Sequence, residues 1–215
     1  MYIPQLFDEP EIPVMHDLIR SHPLATLVTL TAAGIEANHI PLLLLDQPSP
    51  RGMLCGHVAR TNPLWCEHLE GAELLAIFHG PQNYVTPSWY ATKAESGRVV
   101  PTWNYASVHA RGKLTVRDDA KWLRPHLEML TAHNEKAFEH PWAVDDAPRE
   151  FTDKLIEAIV GIEIVITDLK GKWKVSQNRP PADQASVIDG LHQHGHDEMA
   201  DLVRSRARSR ADGAG

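Results

Sequence analysis

Apolar positions recur along the chain with two periods, one helical and one of extended strands. Between Glu11 and His22, Ile12, Met15, Leu18 and Ile19 fall on one face of a helix that Pro23 ends. Leu24–Thr31 and Ile35–Leu45 are β-rich runs on either side of Ala32-Ala33-Gly34, where the glycine supplies a positive φ, and together they predict a hairpin. Met53–Val58 predicts a further strand, and Thr61-Asn62-Pro63 a polar cap with an early proline, opening a helix to about Leu69. Glu73–His79 reads as a buried strand closed by Gly80-Pro81.

Residues 84–105 break the pattern, with five aromatics and two proline-containing turns but no sustained period, which predicts a loop-rich segment. Tyr105–Arg117 resumes as a strand. Asp118-Asp119 then starts a helix to about Lys136 with Leu123, Leu127 and Leu130 on one face, where Pro125 either kinks the helix or delays its start. A proline-bounded loop at 140–149 precedes a helical face of Phe151, Leu155, Ile156 and Ile159. The alternating run Gly161–Leu169 predicts a late strand, which Lys170-Gly171 turns into Lys172–Gln177 as a second hairpin. Asp183–Arg208 has helical composition interrupted by Gly190 and Gly195. Antiparallel connections dominate, without βαβ alternation or a glycine-rich phosphate loop, so a dinucleotide-binding or P-loop fold is unsupported. An α+β chain, mainly antiparallel β, closing as a small barrel with peripheral helices fits this order.

Composition narrows the class. At 215 residues, 43% hydrophobic and 23% charged, the chain suits one globular domain and excludes a disordered or fibrous one. The longest apolar runs fall far short of the ~20 residues a spanning helix needs. The acidic, proline-bearing start does not read as a secretory signal, and cytoplasmic residence with Cys55 and Cys66 reduced is the expectation. Charge is uneven: the last twelve residues carry +3 and residues 1–203 carry −10. A body of that sign repels nucleic-acid backbones, and the alternating arginines of the tail read as a solvated helix end, with DNA contact as the lesser reading.

Four clusters, one of them a pair of segments, carry candidate chemistry. Gly56-His57-Val58-Ala59-Arg60-Thr61-Asn62-Pro63 gathers an imidazole, a forked cation, a hydroxyl and helix-start amides, a set that suits a phosphate; the competing reading is Asn62 acting only as a cap. In Asn38-His39-Ile40-Pro41, alternation sends Asn38 and Ile40 one way and His39 the other, placing polar groups for the rim of a planar heterocycle or simply for satisfied strand positions. Tyr84–Tyr90 and Pro101-Thr102-Trp103-Asn104-Tyr105 offer aromatic faces with polar tips for a flat ligand, a subunit interface or core packing. Lys172, Lys174 and Ser176 share one predicted strand face with Gln177 beyond, facing either an anion or solvent. His192, His194, His196 and Asp197 are spaced poorly for a common metal ion, and no metal site is expected. No catalytic triad or paired-carboxylate motif is legible.

Taken in order, MYIPQLF, HIPLLL, GHVARTNP, FHGPQNYVTPSWY, VVPTWNYASVHARGKL and GKWKVSQNR closely resemble the PaiB family of FMN-binding negative transcriptional regulators, from Met1 to about Leu191. The resemblance implies an FMN-binding split barrel over residues 1–191, related to pyridoxamine phosphate oxidases and small flavin reductases, with the His- and Arg-rich tail 192–215 outside it. It implies a homodimer with flavin sites at the interface. His57, Arg60 and Thr61 are then candidates for the flavin phosphate, Asn38 and His39 for the isoalloxazine, and Lys174, Ser176 and Gln177 for closing the site from the partner chain. Trp103 and Asn104 would belong to the same interface. The implied function is repression of genes for sporulation or degradative enzymes, with DNA or a regulatory protein as a further partner. The alternative is a flavin-dependent oxidoreductase, whose flavin needs only positioning and electrostatics from the protein.

Overall fold

A computed structural model describes residues 1–69 and 71–212, the last five of these by backbone alone. The side chains of Arg208 and Arg210, half of the predicted basic tail, lie outside the described residues. The elements run β1 (Asp8–Glu9), α1 (Ile12–Ser21), β2 (Leu24–Thr31), β3 (Gly34–Pro41), β4 (Leu43–Leu45), β5 (Met53–Ala59), α2 (Leu64–Glu67), β6 (Glu73–Val85), α3 (Lys93–Ser96), β7 (Thr102–Arg117), α4 (Ala120–Glu135), α5 (Arg149–Glu157), β8 (Ile159–Lys174), α6 (Pro181–Gln193) and α7 (Asp197–Asp212). The strands form one sheet in the order β3-β2-β6-β7-β8-β5-β4, with β1 on β8. The assigned registers are antiparallel, so the α+β, mainly antiparallel reading stands.

The first hairpin forms as its pattern predicts. Alternation in β2 buries Ala25, Leu27, Thr29 and Thr31, and the turn to β3 closes at Gly34, whose φ of 127° a side chain would resist. Asp119 caps α4 by accepting from the Lys121 amide at 2.9 Å, and Pro125 is accommodated inside that helix.

Three predicted boundaries move, each for a local reason. The helix after Pro63 stops at Glu67, because His68 bridges Thr31 and the Leu69 amide donates to the Leu30 carbonyl, drawing the chain onto β2. Gly80-Pro81 does not end a strand: β6 continues to Val85, and a Cβ at Gly80 would lie 2.8 Å from Leu18 Cδ1. Nor does Lys170-Gly171 turn. β8 runs straight to Lys174, and Gly171 pairs with Glu9 of β1, where a Cβ would meet Trp173, Glu9 and Met15 at 2.8–2.9 Å. Both glycines make room for a neighbour rather than a turn. The predicted second hairpin is therefore a single long strand. Gly190 likewise stays inside α6, packed on the Trp89 ring, whereas Gly195 at φ 74° does separate α6 from α7.

The chain divides into two compact units. One comprises residues 1–18, 79–108 and 170–215, and the other residues 19–78 and 109–169. The first buries Met15, Leu18, Val85, Val108, Trp173, Val187, Leu191 and Met199; the second buries Ile19, Leu27, Leu54, Phe78, Leu123, Ile162, Ile164 and Ile166. Among the described residues no helix is long and apolar enough to cross a membrane.

Candidate functional site

The candidate residues fall into two groups, one in each unit. In the unit of residues 19–78 and 109–169, β5 delivers His57 and then Arg60 as the strand ends. The Arg60 amide donates to the Ala158 carbonyl at 2.8 Å, while its own carbonyl accepts from Trp65 Nε1 at 3.0 Å, so the backbone at this point is fixed on both sides. Its guanidinium donates from Nε to the Glu157 carbonyl at 2.8 Å and from Nη2 to the Ile159 carbonyl at 3.1 Å. The remaining edge forms a fork with Asp118, Nη1 to Oδ2 at 3.0 Å and Nη2 to Oδ1 at 2.6 Å. This pairing holds the Asp118 carboxyl below its usual range and raises Arg60. Thr61 is exposed beside it.

In the turn that enters α2, Asn62 Oδ1 accepts from the Leu64 amide at 2.9 Å, with Pro63 at the cap position, and its Nδ2 donates to Asn38 Oδ1 at 2.8 Å. Asn62 thus serves the start of α2 and also joins Asn38 to the Arg60 segment. His39 points away from Asn38 and is exposed, as the alternation requires.

His57 leads inward. Its Nδ1 stands 3.3 Å from His126 Nε2 on α4, and the His126 ring stacks on Trp122 at 4.9 Å. Trp122 Nε1 donates to Glu163 Oε1 at 2.7 Å, and Arg117 Nε donates to Oε2 at 2.7 Å, so that buried carboxylate is fully engaged. Opposite Glu163 across the β5–β8 ladder, burial pushes the Cys55 thiol up to about 12, leaving it an inert packing group. Burial lowers His57, and burial with the neighbouring His57 lowers His126 to about 4. Both imidazoles are neutral at pH 7. Among the described residues, His126 Nδ1 is buried without a partner.

In the other unit, β7 and β8 carry Trp103, Asn104 and Lys174. Lys174 Nζ donates to Thr102 Oγ1 and to the Trp103 carbonyl, both at 2.5 Å, which leaves one N–H of the ammonium for another acceptor. Burial, Lys172 and Arg179 lower its pKa. Trp103 is half exposed, and its ring meets Tyr84 edge to face at 6.1 Å. Lys172 lies 5.3 Å from the Tyr105 ring centroid and 5.9 Å from that of Tyr2.

Asn104, Ser176 and Gln177 differ from these. All three are buried, and Asn104 Nδ2 donates to Ser176 Oγ at 2.9 Å. Gln177 donates to the Trp173 carbonyl and accepts from the Val175 amide at 2.7 Å. Ser176 does not share a strand face with Lys172 and Lys174 as the sequence predicts: β8 ends at Lys174, and Ser176 takes a left-handed φ of 66° that turns it inward.

The residues that condition Arg60 and His57, namely Asp118, Glu157 and His126, carry no local signal in the sequence. Asp118 and His126 lie 58 and 69 positions from their partners, and only the fold joins them. Of the histidines near the C-terminus, His192 Nδ1 faces Asp197 Oδ1 at 2.5 Å and its Nε2 faces Arg204 Nη2 at 2.6 Å. Among the described residues no group of three or more His, Cys, Asp or Glu side chains is placed to hold a metal ion.

The donor chemistry fits a phosphorylated, planar cofactor. Each group pairs a cation with hydrogen-bonding side chains, and the Lys174 group adds aromatic faces.

Comparison with known proteins agrees. Residues 1–168 match the family model described as "Putative FMN-binding domain". The chain is 35% identical to an uncharacterized protein of Emericella nidulans, over 96% of this chain and 97% of that one. It is 28% identical to the protease synthase and sporulation protein PAI 2 of Bacillus subtilis, over 97% and 99% of the two chains. Among solved structures, a FAD- and heme-binding protein of Mycobacterium smegmatis superposes with a TM-score of 0.56 at 19% identity, covering 78% of this chain and 73% of that one. The fold is that of the flavin-binding split barrels. The chain belongs to the PaiB-like FMN-binding family, and its cofactor is FMN.

Proposed function

We propose that this chain is an FMN-binding negative regulator of gene expression, working as a homodimer whose flavin occupancy sets its regulatory state. The observation that carries the reading is the similarity over nearly the whole of both chains to a protein named for protease synthesis and sporulation. Arg60 is the proposed phosphate ligand, with His57 and Thr61 beside it, because its guanidinium is half-exposed and already held in a two-pronged geometry that an oxyanion shares. Asn38 and His39 are the proposed contacts to the isoalloxazine, and because they lie on opposite faces of β3 they would meet different flavins of the dimer. Lys174 and Trp103 supply a cation and an aromatic face, while Asn104, Ser176 and Gln177 fix the backbone beneath them. When bound, FMN supplies redox chemistry; the residues named here bind and orient it.

The charge of −10 over residues 1–203 argues against direct contact of the body with DNA, so regulation through a protein partner or a metabolite is the form proposed. The second reading is a flavin-dependent oxidoreductase, since a bound flavin needs only positioning and electrostatics from the protein. The visible spectrum of the purified protein, with FMN added and the excess removed by gel filtration, tests the cofactor site. Retained flavin bands are expected, and weakened retention in Arg60→Ala is expected with them. NAD(P)H oxidation by the loaded protein, measured beside DNA binding at stated salt, separates the two functions. A monomer mass by light scattering at micromolar concentration would count against the dimer.

A further inference from the structure

We propose that Asp118 is a built-in competitor for the anion site of Arg60, an intramolecular carboxylate that a ligand phosphate must displace. The inference rests on the reading of Arg60 as the phosphate ligand and goes beyond it, because it assigns a role to a residue of a different element.

The partners of Arg60 are of two kinds. The carbonyls of Glu157 and Ile159 flank the start of β8, where the Arg60 amide also donates to Ala158, and they cannot leave without dismantling that end of the strand. They fix the guanidinium in position and take one of its edges. Asp118 takes the other edge with both oxygens, and its side chain is 49% exposed at the junction of β7 and α4. It can rotate into solvent with no buried group left behind.

Fork geometry makes the two anions exclusive. A phosphate engaging Nη1 and Nη2 in parallel needs the directions that Asp118 Oδ2 and Oδ1 already occupy. After the guanidinium serves the two carbonyls and the carboxylate, a single Nη1 hydrogen is left, which is not a two-pronged site. The neighbouring Asp119 gives no relief, because its carboxylate accepts from the Lys121 amide as the cap of α4. Asp118 thus keeps Arg60 aligned and charge-compensated without a ligand, and lowers the affinity for an incoming oxyanion by the strength of the pair it makes. An exposed ion pair of this kind adds little to folding stability, so it can be removed without unfolding the protein.

The test uses full-length protein, FMN and inorganic phosphate as probes, and the variants Asp118→Asn and Asp118→Ala beside Arg60→Ala and Arg60→Lys. Flavin affinity is read by fluorescence quenching, and phosphate binding by the rise in thermal midpoint as phosphate is added. Both Asp118 variants are expected to bind both anions about two- to fivefold more tightly, with a nearly unchanged midpoint in their absence. The Arg60 variants are expected to bind more weakly, with Arg60→Lys retaining charge but not the fork. Unchanged or weaker binding in the Asp118 variants, beside weakened Arg60 variants, overturns the competitor while leaving Arg60 as the phosphate ligand. Unchanged binding in the Arg60 variants overturns both.

Discussion

Two buried polar regions, one in each unit, solve the same problem differently. In the unit built on residues 1–18, 79–108 and 170–215, the buried side chains of Asn104, Ser176 and Gln177 around the end of β8 are matched. Asn104 holds Ser176, Gln177 holds the backbone at Trp173 and Val175, and Glu9, 1% exposed, pairs with Arg206 of α7, whose guanidinium lies 5.7 Å from the Trp173 ring centroid. In the other unit the His57–His126 pair is buried with one ring nitrogen unmatched, and Arg60 is matched by a carboxylate that faces water. Around Ser176 the first region is closed, while Lys174 beside it keeps one N–H for another acceptor. The second keeps groups whose pairing a proton or an anion can change.

The largest effect is expected from breaking the closed region at Glu9. Glu9→Ala removes the partner of Arg206 and the acceptor of the Glu11 amide, which bonds Oε1 at 2.9 Å. A poorly solvated cation is then left over Trp173, and burial already lowers the Arg206 pKa. A loss of about 4 kcal/mol is expected in urea denaturation at pH 7. A loss below about 1 kcal/mol would show that α7 is held by its apolar side chains alone. Part of the basic tail therefore works inward, as a clamp on the N-terminal segment.

The sequence made local geometry legible and hid what depends on distance. The β2–β3 hairpin, the cap at Asp119 and the outward turn of His39 follow from alternation and turn chemistry that a dozen residues contain. Gly80 and Gly171 misled because a glycine that admits a neighbour looks the same in sequence as one that turns the chain; only the position of Leu18, or of Glu9 and Met15, tells them apart. In the candidate site, Arg60 and His57 stood out by type, but their occupancy by Asp118 and His126 did not, since no periodicity relates residues so far apart. Lys172 and Lys174 share a face of β8 as alternation predicts, and Ser176 leaves it, a departure the sequence hides because a left-handed serine leaves no mark on composition.

The open region is sharpened by pH. His126 has a folded pKa of about 4 against about 6.5 when unfolded, so the native state binds fewer protons across that interval. Stability is therefore expected to fall as pH drops from about 6.5 to about 4, by on the order of 3 kcal/mol at the limit, with His57 acting in the same direction. Denaturation midpoints across this window check the slope. His126→Phe is expected to flatten it, and an equally steep decline in that variant would move the cause to other groups.

Ser176 gives the smallest and most local test. Its hydroxyl accepts from Asn104 in the buried region, but its φ of 66° costs strain that glycine avoids. Ser176→Ala keeps the strain and orphans an amide hydrogen, and is expected to cost about 2 kcal/mol. Ser176→Gly orphans the same hydrogen but relieves the backbone, so its cost is expected to be smaller by about 1 kcal/mol. Equal losses in the two variants would mean that the hydrogen bond alone fixes this turn. A smaller loss in glycine would show the bond holding a strained backbone in place, with Lys174 two residues before it; flavin affinity should then fall in Ser176→Ala together with stability.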